Sequence, residues 1–136
     1  MYRQIDITAL LAAIKQKVET NTSLSCYDAV PRNAPAPFYA MELVMSRPAD
    51  SKTFYRQAYT VNIHSVAQAS PSTAPVLHLV RRLEEALTED IELPCGYILE
   101  SQMNAGVQAV GTDESGEKRA TSTYVFTIRY GVKRKC

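Results

Sequence analysis

Arg119-Ala120-Thr121-Ser122-Thr123-Tyr124-Val125-Phe126-Thr127-Ile128-Arg129-Tyr130-Gly131-Val132 is the stretch whose alternation decides the fold class. Successive side chains of a strand point to opposite faces. Ser122, Tyr124, Phe126, Ile128, Tyr130 and Val132 therefore share one side, and Thr121, Thr123, Val125, Thr127 and Arg129 the other. Aromatic and β-branched residues fill both sets, which suits a pleated, half-buried surface. Just upstream, Asp113, Glu114, Ser115, Gly116 and Glu117 form a polar, turn-rich tip. Tyr97–Thr112 precedes it as the outgoing arm of a long hairpin, with Gly106 marking a bulge or bend.

The same reading works back toward the N-terminus. Asp6–Glu19 has helical period, with Ile7, Leu10, Leu11, Ile14 and Val18 on one face and Asp6 placed to cap it. Leu24–Phe38 carries Pro31, Pro35 and Pro37, so it should be extended and stiff. Phe38–Ser46 follows as a strand, with Tyr39, Met41, Leu43 and Met45 expected on one face and Phe38, Ala40, Glu42 and Val44 on the other. Arg47–Lys52 is a polar loop. Phe54–Val66 is a second long strand, with Tyr55, Gln57, Tyr59, Val61 and Ile63 on its apolar side. Thr73–Thr88 is a second helix, with Ser72 as its cap, Pro75 in its first turn and Val76, Leu79, Val80, Leu83 and Leu87 as its stripe. The expected fold is α+β, in the order α-β-β-α-β-β. An antiparallel sheet of about four strands would carry both amphipathic helices on one face, in a single domain over residues 1–136.

Composition narrows the function. The hydrophobic fraction is 46% and charged residues are 21%, ordinary values for a packed domain. A net charge of +1 argues against a free-standing nucleic-acid binder. No apolar run reaches the roughly 18 residues that would span a bilayer, and the start of the chain does not read as a secretory signal, so no membrane partner and a cytosolic site of synthesis are expected. The three cysteines, Cys26, Cys95 and Cys136, are odd in number and lack CxxC spacing, so reduced thiols are expected.

Residues able to do chemistry are present but scattered. His64 and His78 are the only histidines, one on the polar side of a strand and one on a helix flank. Cys26, His64 and Asp28 could form a nucleophilic or metal site only if the fold brought them together, and their spacing gives no reason to expect it. Glu84 and Glu85 sit on a solvated helix face, while Asp113, Glu114 and Glu117 sit on a hairpin tip, where nothing would drive their pKa values apart. No catalytic residue, metal site or cofactor is expected. The basic run Lys133-Arg134-Lys135 reads either as a weak DNA-facing patch or as a solubilising tail.

One segment carries a resemblance: Tyr27-Asp28-Ala29-Val30-Pro31, then Asn33-Ala34-Pro35, then Pro37-Phe38. It resembles the signature of phage tail-completion and head–tail joining proteins, in which an opening helix is followed by Tyr-Asp-x-x-Pro and then by a Pro-aromatic start to the first long strand. The close, Ser122 to Tyr130, is similar to the last strand of tail terminators. The chain departs from many relatives in lacking a glycine soon after the Pro-aromatic pair, where it continues Tyr39-Ala40-Met41-Glu42. The resemblance implies a structural virion protein at the head-proximal end of a tail tube. It would form a homo-oligomeric, hexameric ring, contact the tail tube protein and the head connector protein, and pass DNA through its lumen. Tyr27, Asp28, Pro31, Pro35, Pro37 and Phe38 would then supply contacts to subunits or partners, and Lys133, Arg134 and Lys135 would face DNA. The alternative is a head-side connector or minor virion protein, or a non-viral module that binds through a sheet edge.

Overall fold

A computed structural model describes residues 3–133. The elements run α1 (Ile7–Thr22), β1 (Cys26–Tyr27), β2 (Phe38–Pro48), β3 (Phe54–Ala67), α2 (Ala74–Ala86), β4 (Ile98–Thr112) and β5 (Lys118–Val132). The strands form one five-stranded sheet in the order β1-β2-β3-β5-β4. β1 pairs parallel to β2, and the other neighbours are antiparallel.

The class is α+β with two helices, but the expected four-stranded, wholly antiparallel sheet needs correction to five strands and a mixed sheet. The extra strand lies inside the segment read as an extended arm. β1 has only two residues, too few for any alternation to reveal, and it is fixed by Cys26↔Tyr39 and Tyr27↔Ala40. The element order is therefore α-β-β-β-α-β-β.

Both helices cover one face. Leu10, Ile14 and Val18 of α1, and Val76, Leu79, Val80 and Leu83 of α2, are buried against Tyr59, Val61 and Ile63 of β3 and Tyr124, Phe126 and Ile128 of β5. Each such side chain contributes roughly 1.5–3 kcal/mol of transfer free energy before entropy is subtracted. Asp6 caps α1 by accepting a hydrogen bond from the Thr8 amide at 3.0 Å. The helix runs past the expected end to Thr22, where Ser23 at φ 62° closes it. The two helices are tied at that end, since the Arg82 guanidinium donates to the Thr22 carbonyl and the Asn21 amide to the Ala86 carbonyl. Ser72 does accept from the Ala74 amide, at 3.1 Å, although the cap position itself is Thr73.

A bulge in β2 overturns one face assignment. The register shifts between Leu43 and Met45, so Met45 pairs with Thr60 and faces away from the helices. Val44 and Met45 are consequently both exposed, at 51% and 48%.

Candidate functional site: the open sheet face and its edges

The face of the sheet opposite the helices is covered at one end only. Residues 28–37 fold back over it, and Ala36, Phe38, Ala40 and Val66 form a second small apolar cluster with Tyr27 and Ala34 packed against it. Tyr27 meets Phe38 edge-on, with ring centroids 5.6 Å apart. The Gln68 side chain donates to the Ala36 carbonyl at 3.1 Å. The six residues expected to make contacts thus divide. Phe38 is core, Tyr27 is half-buried, and Asp28, Pro31, Pro35 and Pro37 lie on the surface. Between them, the Ala34 amide donates to the Pro31 carbonyl at 3.2 Å, closing a turn.

The scattered chemical groups do not converge. Cys26 is paired with Tyr39 and packs in the main core on the helix side. His64 pairs with Ala40 and Thr121, on the opposite face. Asp28 and His78 are exposed elsewhere. Burial, aided by the Glu19 carboxylate, pushes the Cys26 thiol up to about 12, so it is not a thiolate at neutral pH. Burial first, and then Arg119, hold the His64 imidazole below its ordinary value. It is uncharged at neutral pH, and its 3.6 Å approach to Glu42 is not an ion pair there. Its Nδ1 instead shares a hydrogen bond with the Thr121 hydroxyl at 2.9 Å. Among the described residues no three His, Cys, Asp or Glu side chains group to hold a metal ion.

At the end of the sheet away from the proline segment, aromatic and basic groups collect. Tyr55 stacks on Tyr130 at 5.8 Å, and the Arg129 guanidinium lies 4.2 Å from the centre of the Phe54 ring. Glu100 sits between Arg56 at 3.7 Å and Arg129 at 3.8 Å. Lys133 is held here, 3.6 Å from Asp50 and 5.4 Å from the Tyr55 ring centre. Arg134 and Lys135 lie outside the described residues.

The sheet has two free edges. β1 covers β2 only at Tyr39 and Ala40, leaving the rest of β2 unpaired on that side. β4 is the opposite edge along its whole length. Its inner side is held by the ladder to β5, and polar hooks tie it to the end of α2 and the loop that follows: the Gln102 amide donates to the Leu87 and Glu89 carbonyls and accepts from the Ile91 amide, and Asn104 reaches Glu84. Ten large apolar side chains are exposed among the described residues, and six of them, Val44, Met45, Ile98, Met103, Val107 and Val110, lie on these two edge strands. Sequence periodicity marked the strands, but which of them end at an edge depends on the pairing order, which periodicity does not carry.

A family model described as "Putative tail termination protein" matches residues 1–136. The chain belongs to this phage tail-terminator family. It is thereby a structural protein of the virion tail. The tail-terminator chain also shares its fold with a chain solved in the "Virion of native gene transfer agent (GTA) particle", at a TM-score of 0.68 and 20% identity, over 90% of this chain and 96% of that one. No curated protein matches. No described helix of the tail terminator is long and apolar enough to cross a membrane.

Proposed function

We propose that copies of this chain close into a hexameric ring on the head-proximal end of a tail tube, where they stop tube growth and offer a surface to the head connector. The family match over residues 1–136 carries this reading. The surface agrees with it: six of the ten bare apolar side chains among the described residues sit on edge strands suited to subunit contacts, and Asp28, Pro31 and Pro35 are exposed. Heterologous contacts between identical subunits close into a ring when each copy is rotated by the same fraction of a turn. DNA would pass through the lumen, and a chain of net charge +1 would not hold it fast.

Deleting the gene and imaging the particles tests this. A terminator's loss should give tubes of uncontrolled, excessive length without heads. Tails of normal length that merely fail to attach would overturn termination and favour the head-side connector.

A further inference from the structure

We propose that neighbouring subunits join through their sheets, the bare part of β2 of one copy pairing antiparallel with β4 of the next. The idea rests on the ring reading and names its contact surface. The occupant of each edge is therefore a second copy of this chain.

The topology supplies the direction. β2–β3, β3–β5 and β5–β4 are each antiparallel, so β4 runs opposite to β2. Rotation about an axis along the strands keeps strand direction. The β4 of one copy then meets the β2 of the next in antiparallel sense, as at every other junction of the sheet except that of β1.

The register supplies the match. Rows of partners cross the sheet as Met45–Thr60–Val125–Met103 and Arg47–Ala58–Thr127–Ser101. In a level junction Met45 lies beside Met103, and these two are bare at 48% and 53%. Arg47 lies beside the Glu100–Ser101 bulge, where it would share the Glu100 carboxylate with Arg56 and Arg129, while Glu42 falls level with uncharged Gly106. Further along β4 the edge is already occupied, because the Gln108 amide caps the Ala105 and Gly106 carbonyls at 3.1 and 3.3 Å. The junction therefore falls on Leu99–Asn104 against Leu43–Pro48. Apart from its bulges and Glu100, β4 lacks the usual guards of a solvated edge, with no lysine and no proline between Ile98 and Thr112. Pairing β4 with itself would make a two-fold dimer and leave Val44 and Met45 bare.

The test uses the full chain with Cys95→Ser and Cys136→Ser, carrying Met45→Cys and Met103→Cys together or singly. Mild oxidation of the double variant should give a ladder of covalent oligomers on non-reducing denaturing gels, and each single variant should stay monomeric there. Met45→Lys should keep the circular dichroism and melting point of the native chain. Its self-association by sedimentation should weaken at least about tenfold, since a lysine on a strand edge opposes pairing. Leu77→Lys, on the exposed side of α2, should assemble normally. Rings that form without any cross-link, and survive Met45→Lys, overturn the edge junction and leave the ring reading intact. Dimers cross-linked by Met103→Cys alone overturn it in favour of β4 pairing with itself. A chain that stays monomeric at every concentration and on isolated tubes overturns both.

Discussion

Phe38 shows what one residue decides. It is 5% exposed and anchors the small cluster on the face the helices leave open, where only Ala36, Ala40, Val66, Tyr27 and Ala34 join it. Phe38→Ala should cost about 3–5 kcal/mol, read as a lower urea midpoint with an unchanged slope, because apart from Tyr27 the residues around the cavity are small and cannot fill it. A loss under about 1 kcal/mol would mean that residues 28–37 are not held down by that ring. Buried acids make a second prediction. Burial raises the Cys26 thiol from 9.0 and the Tyr39 hydroxyl from 10.0 to about 12 each, and moves Tyr124 the same way. The folded state thus favours the protonated forms. Their contribution is complete below pH 9 and is lost as pH rises toward 12. Stability followed by tyrosine fluorescence should be flat from pH 7 to 8.5 and fall steeply beyond, and Cys26→Ser with Tyr39→Phe should flatten the fall. A thiol probe at pH 8 should modify exposed Cys95 quickly and spare Cys26 until unfolding. The placement of Tyr39, Tyr59 and Tyr124 could be read from alternation. The exposure of Met45 could not, since one extra residue at the β2 bulge moves it to the other face.

At the scale of elements, period and length decided what the sequence revealed. α2, β3 and β5 each repeat their apolar residues over three or more turns or pairs, and the observed bounds fall within a few residues of the expected ones. The bulge expected at Gly106 is present, with φ 97° and a register shift from Asn104. β1 was out of reach, because two residues acquire their pairing from Tyr39 and Ala40 and not from any local pattern. The candidate site was less legible than the fold. The motif from Tyr27 to Phe38 marked a segment that the structure divides into an anchored end and an exposed middle, and that division follows from which side of the sheet the chain crosses. The division predicts the effect of stiffness. Pro31→Gly with Pro35→Gly touches only exposed positions, so each change should destabilise the subunit by no more than about 1 kcal/mol through the entropy of the unfolded chain. If the segment is a contact arm, the same variant should assemble poorly or give tails that fail to join heads, because a looser arm loses more entropy on docking. Normal tails from a folded variant would make it a passive cover of the sheet.

For the molecule as a whole, the proposed ring raises the question of how it would surround DNA without gripping it. Counterion release makes affinity fall with salt in proportion to the phosphates neutralised, with a slope of roughly −0.9 for each. A net charge of +1 leaves little for such contacts. Several cations are already committed: Lys17 to Glu89, Arg81 to Glu85, Arg56 and Arg129 to Glu100, and Lys133 to Asp50. The sequence adds a basic run near the end of the chain, Lys133-Arg134-Lys135, of which Lys133 is tied to the loop after β2 and the other two lie outside the described residues. Assembled protein should therefore retain duplex DNA weakly at low salt, with a log–log slope of roughly −3 or shallower per copy, and release it near 0.15 M salt. Ending the chain after Lys133 should flatten that slope further and leave assembly unchanged. Retention that persists at physiological salt, or a slope untouched by the truncation, would place the DNA contact on another surface and reduce the basic run to a solubilising tail.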